Sequence, residues 1–178
     1  MNPLSSSWPF AQWSLDIVRP FPRVTGNQRW LIVGTVYFTK WVEVELISNI
    51  RDLDAKRFIW KNIVTRFGVP HTPISDNELQ FDRKTFRMYY CKLIKNRYST
   101  LAYPQGNGQA EAVNKVIING LKNRQDVAKG KWVDELPHML WTYRTTPRRS
   151  MGETPFSMTY GSEAVIPLKT GFLTLRMS

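Results

Sequence analysis

The hydrophobic pattern of the chain changes its period near residue 50, and this change limits the folds open to it more than any other feature. Before that point lie three short apolar segments rich in β-branched and aromatic residues, QWSLDIV (12–18), RWLIVGTVYFT (29–39) and WVEVELI (41–47). Such segments are typical of strands, and three in succession predict a sheet of antiparallel hairpins. In the third segment Glu43 and Glu45 alternate with apolar residues, which predicts that both glutamates face solvent.

From residue 52 to residue 67 the apolar residues recur at the spacing of a helix. Asp52 is placed to cap the start of this helix, and Gly68 is placed to end it. The residues predicted to share its apolar face are Trp60, Ile63, Val64 and Phe67.

The rest of the chain predicts a short strand at 96–100 and three helices at 83–94, 109–128 and 131–146. Pro137 is expected to kink the last helix or to begin a new one. The residues predicted to form the buried face of that helix are Trp132, Leu136, Met139, Leu140 and Tyr143. This order of elements indicates an α/β fold in which helices pack on a mixed sheet.

Charge and composition narrow the possible partners. The chain has 178 residues, the length of one domain, and its 25 Lys and Arg exceed its 14 Asp and Glu to give a formal net charge of +11. This excess favours an anionic partner such as nucleic acid, with a basic surface of no specific partner as the alternative. We expect no membrane span, because no apolar run approaches the roughly 18–20 residues that a span needs. A single cysteine, Cys91, and the lack of a signal peptide predict an intracellular protein.

Three acidic residues stand apart from those on solvated surfaces. Asp16 lies inside an apolar strand, where a carboxylate is costly unless it is paired or bound to a metal. Asp76 directly follows a predicted strand at 71–75 and is either a turn residue or a metal ligand. Glu111 lies in the first turn of a predicted helix, where an ion pair with Lys115 is the alternative. Together the three acids could hold two Mg²⁺ ions for phosphodiester chemistry.

Six motifs resemble the catalytic core of retrotransposon integrases, most closely those of plant gypsy-type elements with long terminal repeats. The motifs are WSLDIV, YFTKWVEVE, NIVTRFGVPHTPISDN, YPQGNGQAEAVNK, WVDELPHMLWTYRTTP and GETPFSMTYG. The resemblance runs from about Trp8 to Pro167 and keeps the order of the family's motifs. It implies an RNase H-like fold with a mixed five-stranded sheet and helices on both faces. The expected domain organisation is a catalytic core at 1–170 and a C-terminal tail at 171–178.

The resemblance also implies a D,D-E active site at the matching positions Asp16, Asp76 and Glu111, which would be both catalytic residues and ligands of two Mg²⁺ or Mn²⁺ ions. The implied function is DNA integration by metal-dependent phosphoryl transfer. In its first step water cleaves near the DNA end of the element, and in its second the freed 3′-hydroxyl attacks target DNA.

The expected partners are the DNA ends of the element, target DNA and further copies of the chain in a homodimer or higher multimer. DNA as the substrate implies a location in the nucleus. The predicted DNA-binding residues are Gln105, Asn107, Gln109, Lys115, Lys122 and Arg124. Arg66, Lys95 and Arg97 are further candidates for contacts with the DNA backbone, with solvated surface charge as the alternative.

The sequence also departs from the family's pattern. Glu78 replaces a glycine near Asp76, Val36 stands where an aspartate is usual, and the interval between Asp76 and Glu111 is one residue shorter than is usual. These changes indicate a drifted copy. The sequence therefore leaves two alternatives open: an inactive integrase remnant that only binds nucleic acid, and an RNase H-type nuclease.

Overall fold

The computed structural model describes residues 9–18, 21, 27–70, 72–75, 115–117, 119–120, 132–149 and 151–166. Four strands in these ranges form one sheet: β1 (Gln12–Val18), β2 (Trp30–Val36), β3 (Val42–Ile47) and β4 (Thr72–Ser75). The sheet order is β3-β2-β1-β4, in which β4 is parallel to β1 and the other two pairings are antiparallel. The predicted hairpins and the mixed sheet are therefore confirmed. The predicted fifth strand at 96–100 lies outside the described residues.

Side chains alternate between the two faces of a strand, so the strands present apolar residues on both faces of the sheet. Helices pack on each face and form two separate cores. Leu15 of β1 packs in a first core together with Phe58 and Ile63. Val18 packs in a second core with Val33 of β2. The helix residues of this second core are Ile117, Trp132, Leu136, Met139, Leu140 and Tyr143.

The helical run over the first core consists of α1 (Asp52–Phe58), a π-helical segment (Ile59–Val64) and α2 (Thr65–Phe67). The helix begins at the predicted residue, but its N-cap is Arg51, which makes no side-chain capping bond. The predicted capping role of Asp52 is therefore wrong. Gly68 ends the run as predicted, at a φ of 84° that favours glycine.

The π-helical segment explains why one residue of the predicted buried face is exposed. Ile63 is buried and Val64 and Phe67 pack against the first core, but Trp60 is 51% exposed. A π-helix closes its turn over one more residue than an α-helix does. Phe58 and Ile63, five residues apart, therefore both reach the sheet, and an added Cβ at Gly34 would lie 3.2 Å from the Phe58 ring and 3.5 Å from Ile63. The wider turn rotates Trp60 toward solvent.

Over the second core lies α3 (Trp132–Thr145), and its buried residues are the five that the sequence predicts. Trp132 is fully buried and stacks on Phe21 with 4.8 Å between ring centroids. Pro137 lies inside this one helix, so a new helix does not begin there.

A short helix, α4 (Pro155–Tyr160), follows α3. It is capped by Thr154, whose hydroxyl accepts a bond of 2.9 Å from the Ser157 amide. Among the helices that the structure describes, none combines the length and apolar character needed to cross a bilayer.

Glu43 of β3 is buried, at 5% exposure, and this corrects the prediction that it faces solvent. Its Oε1 accepts bonds from Trp41 Nε1 at 2.7 Å and from Arg66 at 2.6 Å, and its Oε2 pairs with Arg144 at 3.3 Å. We call these four residues the Glu43 cluster. Arg66 comes from α2 over the first core and Arg144 from α3 over the second, so the cluster joins both helical layers around β3.

Arg144 is the most enclosed cation of the Glu43 cluster, with a side chain that is 19% exposed. Its guanidinium lies 4.2 Å from the centroid of the Trp41 ring, within range of a cation–π contact. Burial lowers the pKa of Arg144, and the Glu43 carboxylate opposes that shift. The carboxylate therefore compensates for the desolvation of the guanidinium.

Glu45 has weaker partners than Glu43. Its carboxylate accepts a bond of 2.6 Å from Asn62 and lies 3.7 Å from the ammonium group of Lys61, which is 66% exposed. The two glutamates of β3 thus differ in how far their charges are removed from water.

Tyr143 fastens α3 to the turn between β2 and β3. Its hydroxyl donates a bond of 3.1 Å to the backbone carbonyl of Lys40, which has a positive φ of 58° in that turn. Burial raises the pKa of Tyr143 to about 12, and the Arg148 guanidinium, 3.7 Å from the ring centroid, partly counteracts the rise. The phenol is therefore neutral at physiological pH and able to donate.

Glu43→Ala is expected to lower the free energy of unfolding by about 3 kcal/mol, because it leaves Arg144 buried without its carboxylate. This lies at the lower end of the usual range for breaking a buried pair, since Arg66 is 41% exposed. Glu45→Ala is the matched control and should cost less than about 1 kcal/mol. Chemical denaturation measures both, and equal losses in the two variants would contradict the assigned cluster.

Tyr143→Phe should cost about 1 kcal/mol at neutral pH, since it leaves the Lys40 carbonyl without its donor. In the folded protein Tyr143 keeps its proton up to about pH 12, whereas the unfolded chain loses it near 10.0. Between these values the folded state binds more protons, so stability falls as pH rises through the window. Denaturation across this window should show a smaller fall in the Phe variant. An identical fall would place the hydroxyl in water.

Candidate active site

Asp16 lies near the end of β1, the strand that has β2 on one side and β4 on the other. Its Cα partner in β2 is Val33, and its side chain shares a face with Val18, which packs in the second core. The carboxylate is half-buried, and its Oδ1 accepts a bond of 2.8 Å from the Ile17 amide. The backbone thus fixes one carboxylate oxygen at the rim of the second core.

On the side of β1 opposite β2, the neighbouring strand is β4, which runs parallel to β1. The register runs from Gln12 opposite Thr72 to Leu15 opposite Ser75. Ser75 is the last residue of β4 and directly precedes Asp76 in the sequence. The structure therefore brings the residue before Asp16 beside the residue before Asp76. Asp76 itself lies outside the described residues.

Residues 115–117 and 119–120 are helical, within the helix predicted at 109–128. Ile117 is 1% exposed and packs in the second core, on the face of the sheet that carries Asp16. Gly120 allows close approach to α3, because a Cβ there would lie 2.9 Å from the sulfur of Met139. This helical segment, which follows Glu111 in the sequence, therefore packs over the face of the sheet that carries Asp16. Glu111 itself lies outside the described residues.

Of the predicted DNA-binding residues, the structure describes Lys115, whose side chain is exposed. The others lie outside the described residues: Gln105, Asn107, Gln109, Lys122 and Arg124. Lys95 and Arg97 do so as well. Arg66 belongs to the Glu43 cluster and its guanidinium lies 5.2 Å from the centroid of the Phe67 ring, which favours a structural role for this cation.

Within the described ranges, His, Cys, Asp and Glu side chains do not gather in groups of three that could hold a metal ion. Asp16 suits one ligand position, because it offers a carboxylate that is half-buried and partly oriented by the backbone. Carboxylate oxygens are the ligands that Mg²⁺ and Mn²⁺ prefer. The chemistry of Asp16 therefore fits the predicted metal, and the other two predicted ligands lie outside the described residues.

The chain is similar in sequence to retroviral polyproteins over most of its length. It is 33% identical to the Gag-Pol polyprotein of woolly monkey sarcoma virus over 155 residues, 86% of this chain. It is 27% identical to the Gag-Pol polyprotein of avian reticuloendotheliosis virus over 165 residues, 92% of this chain. The chain spans only 9% and 14% of these relatives' lengths. No model of a known protein family matches it.

Solved structures share the fold. The HTLV-2 integrase catalytic core domain in complex with magnesium aligns with a TM-score of 0.64 and 18% identity, over 85% of this chain and 97% of that chain. A chain of the simian T-cell lymphotropic virus intasome, in complex with PP2A regulatory subunit B56 gamma, aligns with a TM-score of 0.69 and 19% identity. That alignment covers 90% of this chain and 57% of the other. The predicted RNase H-like fold is thereby confirmed.

The sequence similarity and the shared fold point to the same class of protein. The similarity to Gag-Pol polyproteins extends over 86% of the chain, and the HTLV-2 core domain matches over 97% of its own length. Together the likeness in sequence to Gag-Pol polyproteins and the shared fold support a retroviral-type integrase catalytic core.

Proposed function

We propose that the chain takes part in DNA integration by metal-dependent phosphoryl transfer, as the integrase core of a plant gypsy-type element. Asp16, Asp76 and Glu111 are the proposed catalytic residues. Water is the first nucleophile, cleaving near the DNA end, and the freed 3′-hydroxyl is the second, attacking target DNA.

The register between β1 and β4 carries this proposal. Leu15 is opposite Ser75, and one further residue along each parallel strand leads to Asp16 and to Asp76. Consecutive Cα atoms are about 3.8 Å apart and neighbouring strands about 4.8 Å apart. If the pairing continues by one residue, the two aspartates stand side by side at the carboxyl ends of parallel strands. Open α/β sheets commonly bind their ligands at such ends.

The helical segment at Ile117 supports the place of Glu111 in the proposed site. Glu111 precedes Lys115 by four residues, about 6 Å along a helix axis at 1.5 Å per residue. Ile117 packs on the sheet face that carries Asp16. A helix that continues back from this anchor would run over the same face of the sheet, with Glu111 about 120° around the helix axis from Ile117 and on the side of Lys115.

The metal would supply charge at the reacting phosphate and an activated attacking oxygen when bound. The chain's own contribution is to present three carboxylates and to hold DNA in position. Asp16 is oriented by the Ile17 amide. Lys115 is exposed and suits a phosphate contact, and the net charge of +11 favours DNA approach.

Assembly and location are part of the same proposal. The related HTLV-2 core has been solved in a trimeric and a dimeric form. We propose that this chain likewise acts as a homodimer or higher multimer on DNA, and that it does so in the nucleus, where its target DNA lies.

The test is resolution of a branched DNA that mimics the integrated product, with Mg²⁺ or Mn²⁺. Asp16→Asn and Asp76→Asn should each lower the rate by about 100-fold or more, since the metal supplies several kcal/mol and each 1.4 kcal/mol is tenfold. Asp54→Asn is the matched control, because Asp54 lies in α1 and pairs with the exposed Arg51. It should keep full activity.

Other outcomes identify the alternatives. Salt-sensitive DNA binding without turnover in a folded wild-type chain would contradict the proposal and indicate an inactive remnant. Cleavage of an RNA–DNA hybrid without resolution of the branched DNA would also contradict it and indicate a nuclease of the RNase H type.

A further inference from the structure

The strand β3 is at the edge of the sheet that the structure describes. The outer side of an edge strand carries backbone N–H and C=O groups that have no neighbouring strand to bond to. In an antiparallel pair only alternate residues bond to the neighbouring strand. The Trp41 carbonyl accepts from the Val36 amide, which places Trp41 and every second residue after it in the ladder with β2. The backbone groups of Val42, Val44 and Leu46 therefore point outward. Such a row can pair with another chain.

Arg144 donates hydrogen bonds to the first of these outward groups, the Val42 carbonyl. Its Nε donates to the Val42 carbonyl at 3.1 Å and its terminal Nη2 donates to the same oxygen at 2.5 Å. Nη2 also lies 3.3 Å from Glu43 Oε2. The side chain thus reaches from α3 around the edge of the sheet to a backbone acceptor on its outer side.

The position of Arg144 is fixed by its surroundings. The guanidinium lies 4.2 Å from the centroid of the Trp41 ring and its side chain is 19% exposed. The residues before and after Arg144 in α3 also hold its backbone in place. Tyr143 packs in the second core, and the Thr145 hydroxyl donates a bond of 2.8 Å to the Trp141 carbonyl. The Arg144 guanidinium is thus held against the Val42 carbonyl at the outer edge of β3.

The sequence of β3, VEVELI, has the β-branched and alternating character that favours pairing between strands. Like charges placed opposite each other would oppose pairing with an identical strand. Here that repulsion is reduced, since Glu43 pairs with Arg66 and Glu45 lies beside Lys61. The charges of β3 thus give it little protection against pairing with an identical strand, whereas the bonds from Arg144 to the Val42 carbonyl block that pairing directly.

We propose that Arg144 is an edge guard, a side chain that keeps the outer edge of β3 from pairing with the same edge of a second copy of this chain. The occupant that it excludes is the identical strand β3, in a two-fold antiparallel pair. This role is separate from catalysis and from any assembly on DNA.

Arg144→Ala tests the proposal, with Arg66→Ala as the matched control. Both changes remove an arginine partner of Glu43, but only the first uncovers the Val42 carbonyl. Light scattering at equal concentration should show at least twice the mass of the wild type for Arg144→Ala, since each copy in a wild-type multimer has its own β3 edge. Arg66→Ala should keep the mass of the wild type. Circular dichroism confirms that each variant is folded.

Hydrogen exchange locates the contact. The amides of Val44 and Leu46 point outward and should exchange readily in the wild type. In the Arg144→Ala assembly they should become protected, while Arg66→Ala leaves them unchanged. A folded Arg144→Ala protein with the mass of the wild type, or an added mass without protection at these two amides, would overturn the proposal.

Arg144→Met resolves the case in which the alanine variant does not fold. Methionine keeps a long side chain beside the Trp41 ring but has no N–H to donate to the Val42 carbonyl. A folded methionine variant that assembles through β3 supports the edge guard. A folded methionine variant that keeps the mass of the wild type contradicts it.

Discussion

The fold and the proposed site both depend on the pairing of β1 with a strand on each side. The antiparallel partner, β2, follows β1 closely in the chain, and a hairpin of this kind forms from local sequence. The parallel partner, β4, is reached only after β3 and the first helical run, since a parallel pairing needs a crossover connection. This second pairing brings Ser75, the residue before Asp76 in the sequence, beside Leu15, the residue before Asp16.

Local patterns in the sequence predict much of this framework, because they depend on the two periods of strand and helix. The three strands, their antiparallel order and the five buried residues of α3 follow from such patterns. Trp60 does not, since a π-helical segment shifts the face that an α-helical spacing predicts. The period of the sequence alone does not reveal the extra residue in a turn.

Glu43 shows a second limit of sequence reasoning. Its alternation with valines is the pattern of a solvated strand, yet its partner Arg66 is 23 residues away. Arg144, which bonds the neighbouring Val42 carbonyl, is 102 residues from that residue. Pairings over such intervals arise from packing, and the sequence carries no local signal of them. For the acids of the proposed site, the sequence supplies the residue types and the structure supplies the place of Asp16 in the sheet.

In the proposed active site, Asp16 and Asp76 form one metal site near the ends of β1 and β4. Line broadening by Mn²⁺ in nuclear magnetic resonance spectra tests it most directly, because the paramagnetic ion broadens the signals of nearby amides. We expect early, selective broadening at Ile17 and Ser75, which is lost in Asp76→Asn, while Asp54→Asn behaves as the wild type. Broadening centred elsewhere, or unchanged in Asp76→Asn, would contradict the claim.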